Sequence, residues 1–227
     1  MSSADKLKQQ AAIKAANMVK SGDLVGIGTG STVNFFIEHL AHRIKTEGMH
    51  ITGVSTSWSS TLICQKHNIL LQDLGQTSFL DIAVDGADEI DPQLNLIKGR
   101  GAAHLMEKIV ATLAQKFVII ADESKLVPQL GQNFAVPLEL LPCALGLVES
   151  RIQKLGGDFT VRQGLRKDGP VISDSGNLIA DAKFPNIENP ATLSDKLQNI
   201  PGLLEHGMFI GLAHKAIVAK KDSIVEL

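Results

Sequence analysis

Four carboxylates fall within seven residues of this chain: Asp85, Asp88, Glu89 and Asp91. Asp85 ends a predicted strand, residues 81–85, and the other three follow it. Carboxylates at this spacing repel one another unless they bind a cation, share a proton or turn into solvent. Two interpretations follow. The first is a metal site built on two of the aspartates, although the spacing is not that of an EF-hand. The second is an exposed acidic turn, which the spacing alone favours.

A glycine-rich loop with three hydroxyl side chains precedes a predicted helix. Residues 26–32 read GIGTGST, so Thr29, Ser31 and Thr32 surround the start of the helix. Glycines permit a tight turn, and free N–H groups at a helix start attract anions. The spacing matches neither a dinucleotide fingerprint nor a P-loop, so we expect a small phosphate or carboxylate. The alternative is an ordinary turn in which Ser31 is the N-cap.

A basic, glycine-rich segment leads into a predicted helix that carries Glu107. The segment, residues 98–101, reads Lys-Gly-Arg-Gly. On a helix, residues three and four positions apart lie on one side. For this glutamate those neighbours are small and mostly apolar: Ala103, His104, Val110 and Ala111. We therefore expect a carboxylate that is either desolvated, as a general base often is, or paired with a cation. A glutamate at the helix edge, bonded to Lys108 or Arg100, is the structural alternative.

The elements that position these residues alternate between strand and helix. The hydrophobic pattern predicts strands at residues 24–28, 51–55, 69–71, 81–85 and 117–121, and helices at 4–20, 58–67 and 104–115. Another helix is predicted through Phe35, Phe36, Ile37 and Leu40. Such alternation predicts a parallel sheet with helices on both faces. Ligands of these sheets bind at the carboxyl ends of the strands. The polar residues that could do chemistry follow predicted strand ends, as a ligand site would require.

The pattern changes near Gly131. Strands are predicted at 134–138, 159–162, 177–182 and 203–208, with helices at 144–155 and 190–199. This β-α-β-β-α-β order is typical of a small ferredoxin-like α+β domain. The predicted domains are therefore residues 1–130 plus 207–227, and residues 131–206.

The bulk composition limits the possible partners. The chain has 227 residues, a formal net charge of -2 and 44% hydrophobic residues. These values indicate a globular protein with no general attraction for nucleic acid or an anionic membrane. Cys64 and Cys143 have no partner at metal-ligand spacing, so we expect packing thiols in a reducing compartment. Residues 1–8 lack the apolar core of a signal peptide, and we predict a cytoplasmic location.

Five segments together resemble one family. They read GIGTGST (26–32), VDGADEID (84–91), KGRGAAHLMEK (98–108), ADESK (121–125) and LGGDFTVRQG (155–164). In this order and approximate spacing they resemble ribose-5-phosphate isomerase A, over nearly the whole chain. The resemblance implies an α/β fold, a Rossmann-like parallel-sheet domain with an inserted small ferredoxin-like α+β domain. It also implies a homodimer that acts on a sugar phosphate without metal or organic cofactor, and without nucleic-acid or membrane partners.

The resemblance also implies roles for individual residues. Glu107 would be the catalytic base, and Asp85, Asp88 and Lys98 would hold the reacting end of the sugar. The other implied substrate-binding residues are Lys8, Thr29, Gly30, Ser31, Thr32, Ser57, Gly86, Ala87, Gly99, Arg100, Gly101 and Lys125. No metal ligand is implied. The implied reaction interconverts D-ribose 5-phosphate and D-ribulose 5-phosphate through an enediolate, in the non-oxidative pentose phosphate pathway.

The chain departs from the family pattern beside the implied base. Arg100 stands where the family has a glycine, and Leu105 and Met106 replace a Thr-Arg pair. These changes put in doubt how the substrate approaches and what surrounds Glu107. Competing interpretations are a non-catalytic sugar-phosphate sensor, an amino-sugar-phosphate deaminase, a folate cyclo-ligase and a metal-dependent enzyme.

Overall fold

The computed structural model describes residues 2–227, which form six α-helices and thirteen β-strands. The helices are α1 (Ser3–Ala16), α2 (Ser31–Glu47), α3 (Trp58–Lys66), α4 (His104–Leu113), α5 (Leu145–Lys154) and α6 (Pro190–Gln198). The strands are β1 (Leu24–Ile27), β2 (Thr52–Ser55), β3 (Ile82–Asp85), β4 (Glu89–Ile90), β5 (Leu96–Ile97), β6 (Phe117–Asp122), β7 (Val136–Leu140), β8 (Asp158–Val161), β9 (Leu178–Lys183), β10 (Leu203–His206), β11 (Met208–Phe209), β12 (Lys215–Lys220) and β13 (Ser223–Glu226). None of the helices within the described residues has both the length and the apolar character needed to cross a membrane.

The first compact unit is a parallel sheet with its helices. It comprises the residues up to Ala87, Met106–Lys125 and Leu212–Leu227. Its six strands follow the order β13-β12-β6-β3-β1-β2, and only β13 is antiparallel to its neighbour. Strands β1 and β3 are adjacent and in register at Ile27 and Val84. The loops that follow these two strands therefore leave the sheet at neighbouring points, as the sequence predicted.

The second compact unit comprises Asp88–Leu105 and Leu126–Gly211. Its four-stranded antiparallel sheet follows the order β10-β7-β9-β8, and its chain order is β7-α5-β8-β9-α6-β10. Val148, Ile152 and Leu197 are fully buried in the hydrophobic core of this unit. The predicted fold class, a Rossmann-like parallel sheet with an inserted ferredoxin-like α+β arrangement, is confirmed.

Several short elements differ from the sequence-based prediction. Residues 69–71 form one isolated bridge, between Leu71 and Gly53, and no strand. The predicted strand at 203–208 is two strands, because β10 pairs with β7 whereas β11 pairs with β5. Strands β4 and β5 have two residues each, which is too short for a hydrophobic period to show.

The compact units divide the chain differently from the predicted domains. Residues 88–105, predicted in the first domain, group with 126–211 because β4 and β5 form a three-stranded sheet with β11. The assignment of domains itself stays a prediction.

Glu89 of β4 connects its strand to a distant segment of the second unit. Its fully buried carboxylate accepts hydrogen bonds from the N–H groups of Gly131 (2.6 Å), Asn133 (2.6 Å) and Phe134 (2.9 Å). A buried carboxylate is costly unless its oxygens are hydrogen-bonded, and three amides offset that cost. Glu89 therefore fixes the segment that leads into β7.

We predict that Glu89→Gln lowers the free energy of unfolding by about 1–3 kcal/mol, because an NH₂ group would face a buried backbone N–H. Urea unfolding followed by circular dichroism measures the change. Glu38→Gln, on the exposed side of α2, is the control and should change stability by no more than about 0.5 kcal/mol. Equal stability of both variants would contradict the role assigned to Glu89.

We also predict that the two cysteines differ strongly in reactivity. Cys64 is fully buried, and burial raises the pKa of its thiol to about 12. Cys143 is exposed. Because the thiolate is the reactive form, a disulfide reagent at pH 8 should titrate one thiol in the native protein and a second only in denaturant. Cys143→Ser should abolish the fast reaction, and a remaining fast thiol would show that Cys64 is accessible.

Candidate functional site

Asp85, the last residue of β3, binds the loop that follows β1. Its Oδ1 accepts hydrogen bonds from the N–H groups of Thr29 (3.1 Å) and Gly86 (2.7 Å). The residue is only 2% exposed. Gly28 lies so near that a Cβ built on it would come within 2.1 Å of the Asp85 carboxyl carbon. The first unit therefore brings the acidic turn and the glycine loop into direct contact at the carboxyl edge of the sheet.

The glycine loop ends in the first turn of α2 and is bordered by a lysine. The N-cap of α2 is Gly30, so the alternative in which Ser31 is an ordinary N-cap is wrong. Ser31 instead accepts a hydrogen bond on Oγ from the Nζ of Lys8 in α1, at 3.0 Å. The first turn of α2 carries no acidic residue. An open helix N-terminus beside a lysine is suited to bind an anion.

Hydroxyl groups join the ends of β1 and β2. Thr29 Oγ1 lies 2.7 Å from Ser57 Oγ, to which it donates, and 2.9 Å from Thr56 Oγ1. Ser57 is also the N-cap of α3 and accepts from the Ser60 N–H at 3.1 Å. Thr56 is buried and donates to the Ile27 carbonyl at 3.2 Å. The sequence-based site included Ser57 but missed Thr56, although its position just after β2 was a usable signal.

The other carboxylates of the acidic turn bind backbone amides as well. Asp88 Oδ2 accepts from the N–H of Arg100 at 3.1 Å. Asp91 Oδ1 accepts from the N–H groups of Gln93 (2.9 Å) and Asn95 (2.8 Å). The interpretation as an exposed acidic turn is wrong, because three of the four carboxylates are at most 3% exposed. Within residues 2–227, no three His, Cys, Asp or Glu side chains are grouped so that they could hold a metal ion.

The basic segment 98–101 presents two different cations in the second unit. Lys98 follows β5, is only 3% exposed and has its Nζ 5.3 Å from the ring centroid of Phe209. Arg100 is exposed, and its guanidinium lies 5.6 Å from the ring centroid of Phe134. Cations placed over aromatic faces are stabilised by the ring quadrupole. The buried lysine and the exposed arginine therefore each lie over an aromatic ring of the second unit.

Glu107 lies on the buried side of α4 and is 4% exposed. One turn further along this side, Val110 approaches β1 so closely that a Cβ on Gly26 would come within 2.6 Å of its Cγ1. The carboxyl end of α4 lies beside the start of β3, where the Leu80 N–H donates to the Leu113 carbonyl at 2.9 Å. The helix therefore runs against the strands, and Glu107 lies nearer their carboxyl edge than Val110 does. Glu107 is thus buried on the side of α4 that faces the sheet.

Lys125 also lies just after a strand. Lys125 closes a single helical turn after β6, and the turn is fixed by Asp122 Oδ1, which accepts from the Ser124 N–H at 3.0 Å. The first unit carries Lys8, Thr29, Gly30, Ser31, Thr32, Ser57, Asp85, Gly86, Ala87, Glu107 and Lys125. The second unit carries Asp88, Lys98, Gly99, Arg100 and Gly101.

Comparison with known proteins supports one family. The family model for ribose 5-phosphate isomerase A (phosphoriboisomerase A) matches residues 52–223. The ribose-5-phosphate isomerase A of Trichodesmium erythraeum is 48% identical over 218 residues, which cover 96% of this chain and 92% of the relative. The ribose-5-phosphate isomerase A of Methanothermobacter thermautotrophicus is 44% identical over 218 residues, which cover 96% of this chain and 96% of the relative.

Solved structures agree over the same length. Ribose 5-phosphate isomerase A from Methanocaldococcus jannaschii superposes with a TM-score of 0.94 at 41% identity, and covers 98% of both chains. A D-ribose-5-phosphate isomerase in complex with phospho-erythronic acid superposes with a TM-score of 0.96 at 41% identity, over 100% of this chain and 99% of the other. The protein is therefore an isomerase, and the chain belongs to the ribose 5-phosphate isomerase A family.

Proposed function

We propose that the protein interconverts D-ribose 5-phosphate and D-ribulose 5-phosphate by proton transfer through an enediolate. The observation that carries the proposal is the pair of buried carboxylates, Asp85 and Glu107, on the carboxyl-edge side of one sheet, next to a loop suited to a phosphate. Membership of the isomerase family supports it. So does the related isomerase that was solved with phospho-erythronic acid, since that ligand also carries a phosphate.

Glu107 is proposed as the base. Its carboxylate takes the proton from C2 of the open-chain aldose and returns it to C1, while the proton of the C2 hydroxyl passes to the C1 oxygen. A carboxylate held next to C2 can serve as the general base in such a transfer. Negative charge develops on the C1 oxygen in the transition state, and donors must already point towards it. We assign that role to Lys98 and the N–H groups of Gly99 and Gly101, since the N–H of Arg100 donates to Asp88.

Asp85 and Asp88 are proposed to bind the hydroxyls at the reacting end of the sugar. A carboxylate there moves protons between oxygens and assists opening of the furanose ring. Backbone amides hold both carboxylates, so their orientation is set before the substrate arrives. Gly86 and Ala87 join the two aspartates in the chain and bring the backbone to the sugar.

The phosphate is proposed to bind at the start of α2. Residues 29–32 supply N–H and hydroxyl donors, and Lys8 already donates to Ser31. Lys125 supplies a second cation, and Ser57 is connected to this loop through Thr29. The phosphate lies far from C1 and C2, so this binding energy positions the sugar and takes no part in proton transfer.

The family resemblance supports further proposals. We propose that the reaction needs no metal or organic cofactor, and that the protein acts as a homodimer in the cytoplasm, in the non-oxidative pentose phosphate pathway. We also propose residues 1–130 with 207–227 as the catalytic domain and residues 131–206 as the ferredoxin-like domain. Full activity in EDTA and a dimeric mass in light scattering are the expected results. Loss of activity in EDTA that Mg²⁺ or Mn²⁺ restores would support the metal-dependent alternative.

We predict that Glu107→Gln reduces kcat for ribose 5-phosphate by at least about 1000-fold while the substrate still binds, because the amide cannot accept the C2 proton. Ribulose 5-phosphate formation measures kcat, and calorimetric titration measures binding. In D₂O the wild-type protein should incorporate deuterium at C1 of the product. If the product contains no deuterium from the solvent, the hydrogen has moved from C2 to C1 without exchange. That result would contradict an enediolate whose transferred proton exchanges with solvent.

Glu139→Gln is the matched control for this prediction. Glu139 is also a buried carboxylate, but it accepts hydrogen bonds from Ser173 Oγ (2.6 Å) and Asn177 Nδ2 (2.9 Å) in the second unit. Its substitution should leave kcat within about twofold even if stability falls. A near-normal kcat in Glu107→Gln would show that another group is the base.

We predict that Gly28→Ala reduces kcat/KM by about 100-fold, because the new Cβ would displace the Asp85 carboxylate, and misplacement by 1 Å has effects of this size. Steady-state kinetics measures the loss. Gly146→Ala is the control, because a Cβ at this position in α5 meets no atom within 4 Å. An unchanged kcat/KM in Gly28→Ala would show that Asp85 need not be held in this position.

A further inference from the structure

Arg162 binds the loop that carries the proposed oxyanion donors. It follows β8, and its Nη1 donates to the backbone carbonyls of Gly99 (3.2 Å) and Arg100 (2.9 Å). Asp181 of β9 accepts from Nε (2.8 Å) and Nη2 (2.5 Å) of the same guanidinium. All five guanidinium N–H groups point in fixed directions, so the two-point contact with Asp181 also fixes how Nη1 meets the loop.

The carbonyl contacts determine where the loop N–H groups point. In a trans peptide the C=O and the following N–H are antiparallel. The Gly99 carbonyl faces Arg162, so the Arg100 N–H points away from it, and there it donates to Asp88 Oδ2 at 3.1 Å. The Arg100 carbonyl also faces Arg162, so the Gly101 N–H is directed away from the guanidinium by the same rule.

One residue of this loop, Ala102, has an uncommon backbone conformation, and it follows a glycine, Gly99, that tolerates a positive φ. Gly99 has φ +106°, and a Cβ there would come within 2.7 Å of His104 Nδ1. Ala102 has φ 60° and donates its N–H to the Gly99 carbonyl at 3.0 Å. Residues in sparsely populated backbone regions persist when their surroundings over-determine them. Arg162 provides that constraint from a hairpin distant in the sequence.

The loop and its clamp border an open cleft. Its volume is about 630 Å³, and its walls include Asp88, Arg100, Gly101, Arg162 and Asp181. The Arg162 and Asp181 side chains are 19% and 29% exposed, so their contact is partly shielded from water. The ion pair therefore lies on the same cleft as Asp88, which is proposed to bind the reacting end of the sugar.

We propose that Arg162, oriented by Asp181, is a positioning residue for the isomerisation. This inference rests on the proposed function. By holding two successive carbonyls, Arg162 presents the N–H groups of residues 100 and 101 to Asp88 and to the developing oxyanion. Because the oxyanion is absent from the bound substrate and develops in the transition state that leads to the enediolate, the arrangement acts on kcat and leaves phosphate binding, and with it most of KM, unchanged.

Arg162→Ala tests the proposal. We expect kcat to fall at least about tenfold, with KM within about threefold of the wild-type value. Complete loss of one oxyanion donor lowers kcat by about 100- to 1000-fold. The expected loss is smaller because the loop N–H groups would remain but would point in less suitable directions. Added guanidinium chloride at low millimolar concentration should restore part of kcat. Arg162→Lys should stay impaired, because one ammonium cannot bind two carbonyls and a carboxylate in the fixed geometry of the guanidinium.

Arg43→Ala is the matched control. Arg43 forms the same kind of contact in the first unit: its Nη1 donates to the carbonyls of Ala16 (2.5 Å) and Val19 (3.0 Å), and Glu47 accepts from its other nitrogens. Both substitutions should lower the melting temperature. Only Arg162→Ala should lower kcat, so a purely structural role predicts equal kinetics for the two variants.

The outcomes separate this inference from the proposed function. If wild-type protein fails to isomerise ribose 5-phosphate, the proposed function falls and the role of Arg162 with it. If wild-type protein is active, an unchanged kcat in Arg162→Ala overturns the positioning role alone. A rise in KM at constant kcat, or an equal loss of kcat in Arg43→Ala, overturns it as well.

Discussion

The proposed site depends on hydrogen bonds from backbone N–H groups to carboxylates. Asp85 binds amides of the glycine loop, Asp88 an amide of the basic segment, and Glu89 three amides ahead of β7. Charge-assisted bonds of this kind are stronger than neutral ones, and they satisfy the oxygens that burial removes from water. Because the donors belong to the main chain, the fold itself sets the position of each acid.

This arrangement explains how a short acidic turn avoids self-repulsion. Neighbouring carboxylates point to different segments, so each charge has its own donors and the charges are not concentrated at one place. The same bonds tie together pieces of chain that are far apart in sequence. Asp85 connects β3 to the loop after β1, and Glu89 connects β4 to the start of β7. The proposed chemistry and the local folding therefore use the same carboxylate–amide contacts.

The sequence predicted the features that follow from regular periods. Alternating hydrophobic patterns predicted the parallel sheet and the ferredoxin-like unit, and the helical period predicted the apolar surroundings of Glu107. It could not predict β4 and β5, since two residues show no period. Nor could it predict which donors the carboxylates find, because those amides are fixed by tertiary packing. Arg162 lay within a recognised motif, but its contact with Gly99 joins residues 63 positions apart.

The place of β12 in the sheet has a consequence for protein synthesis. This strand lies between β6 and the antiparallel β13, although it comes from the last part of the chain. Until β12 has been synthesised and has left the ribosome, one edge of β6 has no partner strand. All six residues of β6 are buried in the folded protein, and an exposed edge of this kind is a template for association with other chains. The parallel sheet therefore stays incomplete until the residues of the second unit, which separate β6 from β12 in the chain, have been synthesised. A premature stop before Lys215 would leave that edge permanently open and make the truncated chain prone to aggregate.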